Sequence, residues 1–257
     1  MEQAATFHDL KDASVVVTGG ATGIGAALTE GFLNQGAKVA FLDIAESGAA
    51  FANEMAEATG NKPLFLNCNV TDVAALKKAL AKAAAAHGPV TVLVNNAAND
   101  LRHNTLDVDE AYWDEMQAVN FKHHFFAIQA VIPGMQAAGG GTIINFSSIS
   151  YMMGMGDYPG YTSAKSAITG LTRSMAREFG PDNIRCNAVM PGWVLTERQR
   201  ELWAPPGAID AFIAKQCLKR EILPVDMVDP VLFLASGAST VMTGQALVVD
   251  AGVVVTG

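Results

Sequence analysis

The stretch GDYPGYTSAKSAITG, residues 156–170, places two tyrosines close to one lysine. A phenol beside an ammonium group can carry a proton to or from a reacting oxygen. Tyr158 precedes Pro159, which biases it toward an extended backbone. Tyr161 opens a segment with helical apolar spacing at Ala164, Ile168, Leu171 and Met175. Four positions along a helix bring Tyr161 and Lys165 onto one face, their Cβ atoms about 5–6 Å apart. Tyr161 is therefore the candidate proton carrier, and Tyr158 a residue that lines a cleft. A phenol titrates near 10, so a base useful at neutral pH must be brought down by roughly 4 kcal/mol. One cation about 4 Å away at an effective dielectric near 20 supplies a term of that order. Ser148 comes 13 residues before Tyr161, just past the strand-like run GTIINF. Its hydroxyl can hold an oxygen that is losing a proton. A Tyr-x-x-x-Lys pair occurs by chance in many helices, and the rest of the chain has to decide.

A second chemical feature lies near the start. TGGATGIG (18–25) follows an apolar run and leads into helical spacing. Gly19, Gly23 and Gly25 permit a tight turn and a close approach by a pyrophosphate, which the N–H groups and positive dipole end of the helix would hold. Asp43 sits 20 residues after Gly23, at the end of the next strand-like run. A carboxylate there accepts hydrogen bonds from an adenosine ribose diol and repels a 2′-phosphate. No arginine occupies the loop, and Ile44 follows Asp43 where a basic residue would welcome that phosphate. The expected cofactor is NAD, not NADP.

The elements that must position these groups are legible as alternation. ASVVVT (13–18), KVAFLD (38–43), PLFLNC (63–68), VTVLVN (90–95), GTIINF (141–146), NIRCNAV (183–189) and QALVVD (245–250) read as strands. Helix-like segments fall at 24–35, 46–58, 72–86, 109–137, 161–179 and 227–236. Continuous apolar strands are buried on both faces, which predicts one α/β domain over residues 1–257: a doubly wound parallel sheet with ligands at the strands' carboxyl ends. Residues 193–222 break the alternation and are read as a substrate-covering segment or a long connection, the former being expected.

Composition limits the function classes. The chain has 257 residues and a net charge of −8, with a pI near 5.0. That balance argues against nucleic acid or an anionic membrane surface as partner. No apolar run reaches the length of a membrane span, and MEQAATFHDLKD shows no secretory signal, so a cytoplasmic location is expected. Cys68, Cys186 and Cys217 are scattered and read as buried thiols, with no disulfide framework. No cluster has metal-ligand spacing, so no metal is expected. His123 and His124 read as packing or solvent-facing residues, and MMGMG (152–156) as a cleft wall.

Taken together, T-G-x-x-x-G-x-G, N-N-A (95–97), Ser-x12-Tyr-x-x-x-Lys and P-G-W-V-L-T (191–196) resemble the compact one-domain branch of the short-chain dehydrogenase/reductase family over essentially the whole chain. The resemblance implies a Rossmann-type fold and NAD-dependent oxidation or reduction. It implies Tyr161 as general acid/base, Lys165 as its electrostatic partner and a ribose ligand, Ser148 as holder of the reacting oxygen, and Asn120 as anchor of a proton-relay water. The cofactor would meet Gly19, Thr22, Gly23, Ile24 and Gly25 of the loop, with Asp43, Asn69 and Val70 at the adenosine end. Asn96 and Ala97, Tyr161 and Lys165, and Pro191, Gly192, Val194 and Thr196 would hold the nicotinamide end. The positive ring of NAD⁺ would share with Lys165 the task of lowering the phenol. Departures are mild: Ala98 ends NNAA, Asn69 stands where many members have Asp, and DAG (250–252) replaces D-G-G.

The segment after NNAA is NDLRHNT (99–105), rich in donors and acceptors that suit a polyhydroxylated substrate or a solvated loop. AYWDE (111–115), PGWVLTERQ (191–199) and QCLKREILP (216–224) resemble the NAD-dependent aldose 1-dehydrogenases of the family, the D-xylose type in particular. That resemblance implies a cyclic pentose or 6-deoxyhexose oxidised at its anomeric carbon to an aldonolactone. Asn99, Arg102, His103, Ser148, Tyr158, Tyr161, Trp193, Arg198 and Gln199 would line the sugar site, with Trp203 offering a second indole. A homotetramer is also implied. The alternatives are another secondary alcohol or ketone, such as a 3-oxoacyl or cyclic alcohol substrate, and a non-catalytic NAD-binding protein.

Overall fold

Seven short apolar runs become strands, the five central ones largely buried and the two edge strands half-buried. The computed structural model describes residues 5–255. Met1–Ala4, part of the stretch read for a secretory signal, and Thr256–Gly257 of the tail lie outside the described residues. The strands are β1 (Ser14–Thr18), β2 (Lys38–Asp43), β3 (Leu64–Asn67), β4 (Val92–Asn95), β5 (Gly141–Phe146), β6 (Ile184–Pro191) and β7 (Ala246–Val249). They pair in the order β3-β2-β1-β4-β5-β6-β7, every pair parallel. The strand order reverses between β1 and β4, so the carboxyl ends diverge there and leave a crevice.

Side chains alternate across the sheet and build two cores. Val15, Val17 and Phe41 face a layer containing Leu28 and Phe32 of α1 (Gly23–Asn34), Met55 of α2 (Gly48–Thr59) and Val231 and Leu232 of α9 (Val228–Ala235). Val16, Leu93 and Ile143 face Leu76 and Leu80 of α3 (Val73–His87), Ile128 and Met135 of α5 (His123–Ala137) and Met175 of α6 (Pro159–Phe179). Each fully buried Leu, Ile or Phe contributes roughly 1.5–3 kcal/mol. This is the doubly wound parallel sheet expected from the sequence.

Three elements differ from expectation, each for a physical reason. The helix expected over 109–137 divides into α4 (Glu110–Gln117), a π-helical turn (Ala118–Lys122) and α5. A π turn lets one extra residue through without ending the helix, and such turns collect at functional sites. Helix α6 begins at Pro159, two residues before Tyr161, because proline suits the first helical position, where its missing N–H is not needed. Residues 193–222 hold two short helices, α7 (Glu197–Trp203) and α8 (Ala208–Ile213), not a structureless loop. Thr196 caps α7, its Oγ1 accepting from the Gln199 N–H at 3.2 Å. Cys217 is exposed, whereas Cys68 and Cys186 are buried as expected. Among the described residues no helix is long and apolar enough to cross a membrane.

Candidate active site

A cleft of about 1180 Å³ opens at the strands' carboxyl ends, between the glycine loop and the segment that follows β6. Its floor at the β1 end is backbone. Gly19 and Gly23 adopt φ of +65° and +55°. A Cβ on Gly25 would lie 1.8 Å from the Gly19 carbonyl oxygen, and one on Gly19 would lie 2.9 Å from the Ala97 Cα. Only glycine fits these positions, and the bare backbone lets an anionic ligand approach. Thr22, the residue before α1, makes no side-chain cap, so the first N–H groups of α1 have no side-chain partner at that position. The cradle therefore fits a dinucleotide pyrophosphate. Ile24 lines the same end.

Asp43 ends β2 and lines the cleft with Asn69 and Val70. Its Oδ2 accepts from the Ala21 N–H at 2.9 Å and its Oδ1 from the Ala45 N–H at 3.0 Å. Two N–H donors fix the carboxylate in place, and each oxygen keeps a second lone pair for a diol. The Asn69 side-chain oxygen is committed to Thr71, which leaves its NH₂ group as the available donor. At the switch point, Asn96 Nδ2 donates to the carbonyls of Thr18 and Gly19, both at 3.0 Å. Thr18 Oγ1 accepts the N–H groups of Asn96 and Ala97. Strands β1 and β4 are thus stitched just where the cleft begins.

The chemical groups gather at the end of β5. Lys165 Nζ donates to the Phe146 carbonyl at 2.8 Å, while Ser147 Oγ donates to the Lys165 carbonyl at 2.6 Å. This pair of bonds fixes α6 against the exit of β5. Ser148 is extended, and its Oγ accepts from the Ser150 N–H at 3.1 Å, leaving its own O–H to donate toward the Tyr161 phenol. Tyr161 stacks on Tyr158 with ring centres 5.2 Å apart and planes 10° from parallel. The Lys165 ammonium lies 5.5 Å from the Tyr161 ring centre. Tyr158 is buried and points its hydroxyl at Met155 Sδ, 3.4 Å away. Met153 and Met155 of the MMGMG run form part of the same wall.

The electrostatics differ from the sequence expectation. Burial, and then the Asp100 carboxylate, push the Tyr161 phenol above its ordinary value, opposed by a hydrogen bond with Ser148. Burial also pulls Lys165 down to about 7, with Asp100 opposing. Among the chain's own groups, therefore, Ser148 is the one that acts to lower the phenol, and burial weakens the charge that Lys165 sets beside it.

Asn120 sits in the π turn, fully buried. Its Oδ1 accepts from the Asn99 N–H at 2.8 Å, and its Nδ2 donates to the carbonyls of Asn99 at 2.9 Å and Met116 at 3.0 Å. Both amide hydrogens are engaged by protein, so the side chain acts as a clamp on the loop after β4. His123 and His124 are fully buried, which excludes the solvent-facing reading. A ring nitrogen of His123 lies 3.0 Å from the Ala97 carbonyl. Burial and the nearby Lys165 lower His123 to about 3, and burial holds His124 well below its ordinary value.

The segment after β6 closes the opposite wall. Pro191, Gly192, Trp193, Val194 and Thr196 all line the cleft. A Cβ on Gly23 would lie 3.0 Å from Thr196 Cγ2, so this segment meets the glycine loop directly. Trp193 Nε1 donates to Gln199 Oε1 at 2.9 Å, and its ring meets Phe212 edge-on at 5.3 Å. The Arg102 guanidinium lies over the rings of Trp203 and Tyr158, 4.5 and 5.7 Å from their centres. Arg198 and Gln199 both reach Asp100.

Two expected sugar-site residues stand outside the cleft wall. The Asn99 backbone is held by Asn120, and its side-chain Oδ1 accepts from the Leu101 N–H and from a nitrogen of Arg198. His103 packs edge-on against Tyr112 with its Nδ1 3.1 Å from the Tyr112 hydroxyl, and lines a separate shallow depression with Asp157. The reason is local: the loop turns at 99–101, so alternate side chains face away from the cleft. Asp100 lines it in their place, and Trp203 lines it as expected. The T-x-x-Q spacing at Thr196–Gln199 is a helix-start signature, and α7, which it opens, carries Trp203 to the cleft.

Residues 19–254 match the family model described as enoyl-(acyl carrier protein) reductase. A probable galactose dehydrogenase of Rhizobium meliloti is 50% identical over 97% of this chain and 98% of its own length. A D-xylose 1-dehydrogenase of Caulobacter vibrioides is 45% identical over 97% of this chain and 98% of its own. The crystal structure of a protein from Sinorhizobium meliloti, described as a short-chain alcohol dehydrogenase, superposes with a TM-score of 0.88 at 31% identity, covering 93% of this chain and 95% of that one.

Proposed function

The chain belongs to the short-chain dehydrogenase/reductase family, and we propose that it oxidises a cyclic aldose at the anomeric carbon, with NAD as hydride acceptor, to an aldonolactone. The observation that carries this reading is the make-up of the cleft wall beyond Tyr161. Asp100, Arg102, Arg198 and Gln199 supply planar charged or amide groups, and Trp193 and Trp203 supply indole faces. Planar polar groups pair with hydroxyls, and an indole covers the apolar face of a sugar ring. The names of the two relatives, a galactose and a D-xylose dehydrogenase, support an aldose and do not separate pentose from hexose.

In this reading Ser148 donates to the anomeric oxygen and Tyr161 takes its proton. Lys165, wedged under the phenol by its bond to the Phe146 carbonyl, favours the anionic form once protonated. A bound oxidised nicotinamide supplies the hydride-accepting ring and one positive charge. Asp43, with Ile44 beside it, supports NAD over NADP because a 2′-phosphate would face a fixed carboxylate and no cation. Asn120 holds the loop that carries Asp100 and Arg102. Residues 193–222 serve as the substrate cover. We read the protein as a cytoplasmic homotetramer, consistent with its acidic charge and its exposed apolar Val241 and Val255.

A 3-oxoacyl or cyclic-alcohol substrate is the second reading; the matched family model is described by an acyl thioester substrate, nearer to the acyl option than to a sugar. The charged cleft mouth weighs against an acyl chain. The test is initial NADH formation with NAD⁺ and a panel of D-xylose, L-arabinose, D-galactose, L-fucose, D-glucose and L-rhamnose, with parallel NADP⁺ reactions and Tyr161→Phe as control. Turnover with one or two sugars, lost in the variant, is expected. Silence across the panel with intact NAD binding would remove the aldose assignment and leave the family assignment in place.

A further inference from the structure

Asp100 stands where three elements meet. It follows Asn99, whose backbone is clamped by Asn120 of the π turn. Its two oxygens face the segment on the far side of the cleft: Oδ1 accepts from Arg198 Nη1 at 2.7 Å and Oδ2 from Gln199 Nε2 at 2.6 Å. The other end of the Gln199 amide accepts the Trp193 indole N–H, and a second Arg198 nitrogen donates to Asn99 Oδ1 at 3.3 Å. Two residues beyond Asp100, Arg102 lies over Trp203. Among the described residues, no backbone hydrogen bond joins 97–104 to 193–222. The two walls are held together by side chains alone, and Asp100 accepts two of those bonds.

We propose that Asp100 is a positioning residue for the reaction: its carboxylate ties the covering segment across the cleft, so that the substrate site is assembled between the Asp100–Arg102 loop and Trp193–Trp203. The geometry stands without the aldose reading, and only the substrate used to measure KM depends on it. The pair with Arg198 is a poor stability device, because the arginine is 45% exposed and exposed ion pairs contribute little. Its loss should therefore loosen the segment locally and leave the sheet intact. Local opening of this kind lies at the low-stability end of a folded protein and can be read separately from global unfolding.

The chain has three tryptophans, Trp113, Trp193 and Trp203, so in a Trp113→Phe background fluorescence reports on the covering segment. Asp100→Ala in that background is expected to red-shift the emission and at least double the acrylamide quenching constant. Amide exchange in 193–203 should speed up about tenfold, with β1, β4 and β5 unchanged. Arg198→Ala should act alike, and the double variant should be no worse than either single one. With the substrate found in the panel, KM for substrate should rise about tenfold while KM for the cofactor moves less than threefold. Asp100→Asn, which keeps an acceptor oxygen, should recover part of each effect. Emission, exchange and KM equal to the parent's would overturn the proposal, as would exchange accelerated equally throughout the sheet. If no sugar is turned over, the aldose reading falls, while fluorescence and exchange still decide the role of Asp100.

Discussion

Asn120 and Asn99 grip each other through two hydrogen bonds, N–H to Oδ1 at 2.8 Å and Nδ2 to carbonyl at 2.9 Å. An amide side chain in a π turn thereby replaces the backbone partner that the loop after β4 lacks. Asn120→Ala would strand both the N–H and the carbonyl of Asn99, at a cost of about 1–3 kcal/mol each if neither finds water. At roughly 2–4 °C per kcal/mol for a chain of this size, a fall in Tm of about 4–24 °C is expected. The loop carries Asp100, so kcat/KM should fall at least tenfold. A melt and a rate profile matching the parent's would show that the clamp has no such role.

Tyr158 and Tyr161 are stacked and alike in chemistry, yet only one of them has a hydrogen bond with Ser148. Tyr161→Phe keeps the stacked ring and loses the proton carrier. It should lower kcat by about 10²–10⁴, with Tm and NAD affinity close to the parent's. Tyr158→Phe loses contacts with Met155 and Ser150, neither of which carries the reacting proton, and should keep activity within about fivefold. Equal losses in the two variants would mean the assignment between the phenols is wrong.

Lys165 is 1% exposed and pulled down to about 7 by burial. In the unfolded chain it titrates at its ordinary 10.5. Below about 7 both states hold the proton, and the cost of burying the charge is fully present. As the pH rises from 7 toward 10.5 the folded state sheds the proton first, and that cost disappears. The difference corresponds to on the order of 5 kcal/mol. Lys165→Met would also leave the Phe146 carbonyl without its donor, which costs about 1–3 kcal/mol. The larger effect decides the sign. The variant should be inactive and more stable than the parent at pH 6, with the gain shrinking or reversing by pH 10, as read from urea unfolding at both pH values. A variant less stable at pH 6 would show that the carbonyl bond outweighs desolvation.

Where the residues carry their own constraint, the sequence was readable. Valine-rich runs had to become buried parallel strands, Gly19 and Gly25 had to be glycine, and the four-residue step from Tyr161 to Lys165 had to put both on one face of α6. What could not be read depends on groups brought together from distant positions. The apolar spacing over 109–137 is continuous, and nothing local signals the π turn that aims Asn120 at Asn99. The direction of the Tyr161 and Lys165 titrations follows from burial, which spacing does not reveal. Asp100 looks like one polar loop residue among several; its part is set by Arg198 and Gln199, about a hundred residues away. His103 was misplaced for the same reason: the turn at 99–101, held by Asn120, decides which side chains face the cleft.

His123 and His124 should make the protein sensitive to mild acid. Both are neutral in the fold, His123 at about 3 and His124 well below the ordinary 6.5, because burial disfavours the cation. As the pH falls below 6.5 the unfolded chain takes up protons that the folded chain refuses, so stability declines with falling pH. Each group contributes about 1.4 kcal/mol per pH unit in that window. From pH 7.5 to 5 the pair should remove on the order of 4 kcal/mol. His124→Gln should lose about half of that slope, measured by urea unfolding across the range. Identical slopes for parent and variant would assign the acid sensitivity to the carboxylates.

The cofactor preference rests on two neighbouring side chains, and they can be exchanged. Asp43 is fixed by the Ala21 and Ala45 N–H groups, so it cannot swing away from a 2′-phosphate. Ile44 is 67% exposed and lines the same end of the cleft, so a longer cationic side chain fits there without disturbing the core. Asp43→Ser removes the repelling charge and keeps a hydroxyl to accept the Ala21 N–H. Alone it should weaken NAD⁺ binding about tenfold, because the ribose diol loses its acceptor, and help NADP⁺ modestly. Ile44→Arg alone should do little, since the phosphate still meets the carboxylate. Together they should reverse the preference, moving the ratio of kcat/KM values for NAD⁺ and NADP⁺ by 10²-fold or more, about 3 kcal/mol. A charge pair gained and a charge repulsion removed are each of that order in a partly buried site. Titration of the purified protein with each dinucleotide reads the same ratio without any sugar. If the parent already binds NADP⁺ as tightly as NAD⁺, Asp43 is a backbone brace for the Ala21 loop and not a discriminator.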